Sequence, residues 1–230
     1  MKILAIETST MLGGVAVADD RIGLVAETRL NVKTTHSEKL MTAVHNTLQQ
    51  AETGMREIDA FAIAIGPGSF TGLRIGLGTV KGLSYATGKP VVAVPTLDAF
   101  AWNFPFSMYP VCLMLDARKK EVYTALFQWR THGFVKIMEE TSIRPAELLK
   151  ELRGGIIFAG DGALLYEDLI LNIMGERAVM SPGDKMVPSP SNVAMLGMSK
   201  AIKGEYADIS DMAPLYIRKS EAEVKWLERR

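Results

Sequence analysis

Residues 58–94 read "IDAFAIAIGPGSFTGLRIGLGTVKGLSYATGKPVVAV", a stretch with seven glycines. The segment "DAFAIAI" (59–65) reads as a buried-strand run. Gly66-Pro67-Gly68 closes it, a helix is predicted from about Ser69 to Ala86, and "KPVVAVP" (89–95) returns to strand. Strands alternating with helices of this length define an α/β fold.

The glycines fit none of the familiar loop chemistries. A phosphate loop needs G-x-x-x-x-G-K-[ST], yet Thr71 stands at its second glycine, and Gly72 is followed by Leu73 and Arg74. A dinucleotide fingerprint also requires glycine at 71. A nucleophile elbow around Ser69 requires glycine where Pro67 stands. What is left is a helix with Gly72, Gly76, Gly78 and Gly82 inside it, each costing about 1 kcal/mol relative to alanine. Four of them give up about 4 kcal/mol against a typical total of roughly 5–15, so something must offset the loss. At about 100° per residue, Leu73, Leu77 and Val80 form the core stripe. Gly72, Gly76 and Thr79 lie beside it, and Gly78 and Gly82 lie with Ile75 farther round. Two strips of small residues permit two close backbone approaches. Either both are internal or one receives a partner, and spacing alone does not say which strip faces outward. A third reading has the Gly66-Pro67-Gly68 turn offering amides to an anion.

Outward from this unit, "KILAIET", "GGVAVADD" and "IGLVAETRL" read as a three-strand meander. "TTHSEKLMTAVHNTLQQAE" is helical, with Leu40, Val44, Leu48 and Ala51 on one stripe and Thr35 and Glu38 as a capping box. "TLDAFAWNF" is a short helix, and Pro105 and Pro110 bracket an irregular segment. That places a boundary between 1–104 and 105–230. The second part restarts with "VCLMLDA" and "EVYTALFQW" across the turn Arg118-Lys119-Lys120, then strand "FVKIMEE", helix "PAELLKEL", strand "GIIFAG" and helix "ALLYEDLILNIM". The last helix, "SNVAMLGMSKAIKG", follows a proline-rich loop, and it or the tail is free to pack back on the first lobe.

Composition is ordinary for a globular chain of 230 residues, with 48% hydrophobic and 23% charged residues. Twenty-six basic residues balance 26 acidic ones, which argues against a protein that binds RNA on its own. With a single cysteine, Cys112, neither an internal disulfide nor a thiolate zinc site is available. The start of the chain lacks a signal-peptide core and no apolar run reaches membrane length, so a cytoplasmic protein is expected. His36 and His45, nine residues apart, fall on opposite faces of one helix and do not chelate together. Glu7 and Asp116 each end a strand, where open sheets place active-site acids, or they simply cap turns. Arg118 and Glu121 are positioned to pair across the turn.

Six segments carry a family resemblance: "ILAIETST" (3–10), "HSEKLM" (36–41), "GPGSFTGLRIGLGTVKGL" (66–83), "DARKKEVY" (116–123), "AGDGA" (159–163) and "PLYIRKSEAE" (214–223). In this order and spacing they resemble the TsaB (YeaZ) family, the partner subunit in bacterial tRNA threonylcarbamoyladenosine modification. The resemblance implies a two-lobed actin/hexokinase/Hsp70-like (ASKHA) fold, each lobe a mixed sheet flanked by helices. It implies a non-catalytic scaffold that pairs with the paralogue TsaD and, through it, the TsaE ATPase. A homodimer is implied when TsaD is absent, and tRNA is met only through the complex. The implied interface uses helices 35–52 and 69–86, with His36, Leu40, Met41, Val44, Gly72, Ile75, Gly76, Gly78, Thr79 and Gly82. Glu7, Asp116 and Arg118 are the implied vestige of a site. Many members carry Asp where Glu7 stands, Thr8 replaces the glycine of nucleotide-binding relatives, and the paralogue's metal-binding histidine pair is missing. No cofactor or metal is therefore expected in this chain, with ATP held by partner subunits. The alternatives are an ATP-binding sugar-kinase-like enzyme or a peptidase of the same superfamily, or a stand-alone homodimeric module.

Overall fold

The computed structural model describes residues 1–31 and 36–218, without the side chains of Leu30 and of 36–38. The capping box expected at Thr35 and Glu38, the His36 side chain and the tail from Lys219 lie outside the described residues.

The apolar runs of the first part assemble into one five-stranded sheet. Its strands β1 (Lys2–Glu7), β2 (Leu12–Asp19), β3 (Gly23–Asn31), β4 (Ala60–Ala64) and β5 (Val91–Val94) lie in the order β3-β2-β1-β4-β5. The meander β1–β3 is antiparallel, whereas β4 and β5 join parallel to β1. Successive residues point to opposite faces of a strand. Leu4, Ile6, Val15, Val17, Phe61 and Ile63 thus meet α1 (His36–Gln50) and α2 (Phe70–Thr87) on one side. On the other, Ile3, Ala5, Ala16, Ala18 and Ala62 meet α7 (Pro190–Ile202). That second face is mostly alanine, so α7 comes in close, and a Cβ on Gly197 would sit 2.5 Å from the Ala62 methyl. The last helix therefore completes the first lobe.

The second part repeats the plan. The strands β6 (Val111–Asp116), β7 (Val122–Arg130), β8 (Gly133–Ile143), β9 (Ile156–Ala159) and β10 (Ala178–Met180) lie in the order β10-β9-β6-β7-β8. Again an antiparallel meander is extended by parallel strands. One face packs on α4 (Pro145–Glu151) and α6 (Glu167–Met174), the other on α3 (Thr96–Ala101). The single helix expected at "ALLYEDLILNIM" is instead two. The short α5 (Asp161–Leu165) ends at Tyr166, whose φ of −115° and ψ of 22° leave the helical region before α6 begins. Cys112 is buried, hydrogen-bonds Thr124, and its thiol is pushed up to about 12 by burial.

The glycine helix docks through its first strip. The backbone carbonyl of Thr8 lies where a Cβ on Gly72 would be, and the Thr8 hydroxyl where one on Gly76 would be. Ser69 caps the helix by accepting from the Gly72 amide at 3.3 Å, and Gly88 ends it in the left-handed region at φ 71°. Around Gly78 and Gly82 no atom of the described residues lies within 4 Å of the Cβ positions. The two strips thus separate into one that is packed and one that is open. Substitution should split them the same way. Gly72→Ala is expected to destabilise the chain by about 1–3 kcal/mol through overpacking against backbone. Gly82→Ala should stabilise it by about 0.5–1 kcal/mol. Urea denaturation of the two variants and wild type measures both signs.

Candidate functional site

Two features stand out: the outward face of α1 and α2, and a cleft between the lobes. On α2 the core stripe Leu73, Leu77 and Val80 is buried, as its spacing predicts. This leaves Gly78, Gly82 and Tyr85 exposed, with Ile75 and Thr79 half-buried beside them. Tyr85 is 94% exposed, an aromatic ring standing next to the two open glycines. On α1, Met41 is 48% exposed and borders a hollow of about 490 Å³ that reaches His45 and Met55.

Four residues assigned to this surface from the sequence are not on it. Leu40 and Val44 are 2% exposed, because the stripe they share with Leu48 faces the sheet. Val44 contributes only to the floor of the hollow. Gly72 and Gly76 are covered by the chain's own Thr8. Met41, Ile75, Gly78, Thr79 and Gly82 do reach the surface, and His36 has no described side chain. Tyr85 was not singled out from the sequence, although its place three residues after Gly82 was the available signal.

The cleft has a volume of about 710 Å³. Its first-lobe wall is the β1–β2 turn (Ser9, Thr10, Met11) and the start of α2. Its second-lobe wall is the β6–β7 turn with Asp161 of α5. Glu7 lies behind this wall, fully buried. One of its oxygens accepts the Ser9 amide at 2.5 Å, while the other has no partner among the described residues. Burial, partly offset by the bonds from Ser9, pushes its carboxyl up to about 7. The Ser9 carbonyl is also taken, accepting from the Ser69 amide at 2.6 Å. The turn is therefore committed to holding β1 against α2. Thr8 packs its carbonyl and hydroxyl against Gly72 and Gly76 of α2.

Asp116 does line the cleft, and it serves its own turn. Its carboxylate accepts the Arg118 amide at 2.8 Å and pairs with the Arg118 guanidinium at 3.2 Å. The Asp116 amide donates to Asp161 at 3.0 Å, and burial raises the Asp161 carboxyl, with the Asp116 charge adding to the shift. The expected Arg118–Glu121 pair does not form. Arg118, Lys119 and Lys120 all have positive φ, and this left-handed turn points Arg118 back at Asp116. Glu121 instead accepts from Ser142 at 2.8 Å and Arg218 at 3.2 Å. Histidine is absent from the lining. Among the described residues no three His, Cys, Asp or Glu side chains converge as a metal site would require. No described helix is long and apolar enough to cross a membrane.

With this geometry in view, the chain can be set beside the proteins it is similar to. The family model described as "TsaD: tRNA N6-adenosine threonylcarbamoyltransferase" matches residues 30–226. The Bacillus subtilis (strain 168) protein named "tRNA threonylcarbamoyladenosine biosynthesis protein TsaB" is 32% identical over 231 residues, covering 99% of each chain. The solved YeaZ from Pseudomonas aeruginosa superposes with a TM-score of 0.80 at 26% identity, over 94% of this chain and 99% of that one. More distantly, component A of the Acidaminococcus fermentans (R)-2-hydroxyglutaryl-CoA dehydratase shares the fold at a TM-score of 0.54 and 10% identity, over 88% of this chain and 99% of that one.

Glu7 gives the site a measurable pH signature. Below its ordinary value of 4.5 the carboxyl is protonated whether the chain is folded or not, and burial carries no ionic penalty. As pH rises toward 7 the unfolded chain loses the proton while the folded one retains it, so stability falls. The loss is on the order of 3 kcal/mol once the folded pKa is passed. Glu7→Gln keeps the bond from the Ser9 amide and has no proton to lose. The fall in urea-derived stability between pH 5 and pH 8 should be smaller in that variant than in wild type by about this amount.

Proposed function

Since the chain belongs to the TsaB family and is thereby tied to tRNA threonylcarbamoyladenosine biosynthesis, we propose that it acts as the scaffold subunit that binds the TsaD transferase paralogue through the outward face of α1 and α2. One observation carries this reading. Gly78 and Gly82 interrupt an 18-residue helix at a cost of about 1 kcal/mol each, and among the described residues no atom occupies the space they open. A partner backbone lying across that space recovers the loss. Exposed Tyr85 and Met41 supply aromatic and thioether area of the type enriched in the centres of interfaces. In the same reading, catalysis and nucleotide belong to the partner subunits, with the TsaE ATPase joining through the TsaD complex. Support comes from the turn after β1, whose Ser9 amide and carbonyl are used internally and whose Thr8 is packed on α2. A second copy of the chain is able to use the same face, so homodimer and heterodimer exclude each other.

Gly78→Leu and Gly82→Leu place a bulky side chain in the open strip without touching the core. Each should weaken binding to the transferase paralogue by about 100-fold, roughly 2.7 kcal/mol, in titration calorimetry. Melting temperature should stay at or above that of wild type. Wild-type affinity in both variants would place the interface elsewhere. Light scattering on mixing the subunits should show the homodimer mass giving way to the heterodimer if one face serves both.

A further inference from the structure

The segment after α7 does not end on the first lobe. Ala207 bridges to Val91 at the edge of the first sheet, Met212 is buried among the residues under α1 and α2, and the Leu215 amide donates to the Ile65 carbonyl at 2.7 Å. Tyr216 then stacks on Phe70 in the first turn of α2, ring centroids 5.2 Å apart, and its hydroxyl accepts from the Arg74 guanidinium at 3.0 Å. That guanidinium also lies 3.8 Å from the Phe70 ring centroid. Two residues on, Arg218 reaches Glu121 of the second lobe at 3.2 Å, where Ser142 of β8 fixes the same carboxylate oxygen at 2.8 Å. Tyr216 and Arg218 both line the cleft.

The lobes also meet at α3 and α7. Asn192 of α7 donates to Asn103 just past α3 at 2.7 Å, and α3 itself is embedded in the second lobe's core. Neither helix lines the cleft. We propose that residues 213–218 form a clasp that holds the two lobes at a fixed separation across the cleft, away from the α3–α7 contact about which they hinge. The aromatic stack anchors the clasp on the first lobe, and the Arg218–Glu121 pair closes it on the second. Both partners of that pair are about one-third exposed, at 29% and 32%, so the closure is sensitive to salt.

The test measures lobe separation directly. Met11 and Leu165 line the cleft from opposite lobes and are 50% and 59% exposed, so Met11→Cys and Leu165→Cys accept spin labels while buried Cys112 stays unreactive. Pulsed electron resonance on the doubly labelled full chain should give one narrow distance distribution. Arg218→Ala, Glu121→Ala and Tyr216→Ala should each broaden it and lengthen its mean, as should high salt. The exchanged pair Glu121→Arg with Arg218→Glu should restore the narrow distribution, which a mere loss of folding would not allow. The clasp is refuted if Arg218→Ala combined with Tyr216→Ala leaves the distribution unchanged, or if a chain ending at Met212 keeps the wild-type distance.

Discussion

The approach of the end of β1 to the first turns of α2 is the contact on which the rest of the architecture depends. Thr8 occupies the space left by Gly72 and Gly76, and the Ser9 carbonyl accepts from the Ser69 amide. A side chain at either glycine would push the helix off the strand. With the approach made, the helix is fixed in rotation, Leu73, Leu77 and Val80 face the sheet, and Gly78, Gly82 and Tyr85 are turned to solvent. The outward face is thus a consequence of the inward one. The same contact buries Glu7, one of whose oxygens has no partner among the described residues: the turn after β1 is used to seat a helix.

Duplication of one sheet plan gives the molecule two lobes and a cleft between them. Each lobe starts with an antiparallel meander and grows by parallel strands on the other side of its first strand. In the first lobe the alanine-rich face admits α7, so a helix near the end of the chain serves the beginning. At residues 213–218 the chain meets the cleft again, and Arg218 reaches Glu121 in the β6–β7 turn. Cleft-facing charges are balanced, Asp116 and Asp161 against Arg118 and Arg218, and each has a structural partner nearby. The cleft wall is therefore a set of turns stabilising themselves.

Much of the fold was legible because it rests on local periodicity. The apolar runs at 60–65 and 111–115 read as buried strands, and the 100° stripes on α1 and α2 named their core residues correctly. Where the reading failed, the reason was non-local. Leu40 and Val44 were assigned both to the core stripe and to the surface implied by resemblance, and a single helix face serves one of these. Arg118 and Glu121 looked like a pair by spacing, but three successive positive-φ residues re-aimed one, and a residue 97 positions away took the other.

The sequence alone determined the α/β class, the meander that opens each half, the resemblance to one family and the fact that four helix glycines need compensation. Those conclusions depend on spacing and side-chain chemistry, which are properties of the chain. Tertiary structure decided which glycines receive that compensation inside the molecule, because only the packed position of Thr8 separates Gly72 and Gly76 from Gly78 and Gly82. It also decided that a tail segment spans both lobes, since that contact joins residues far apart in the chain whose pairing has no periodic signal.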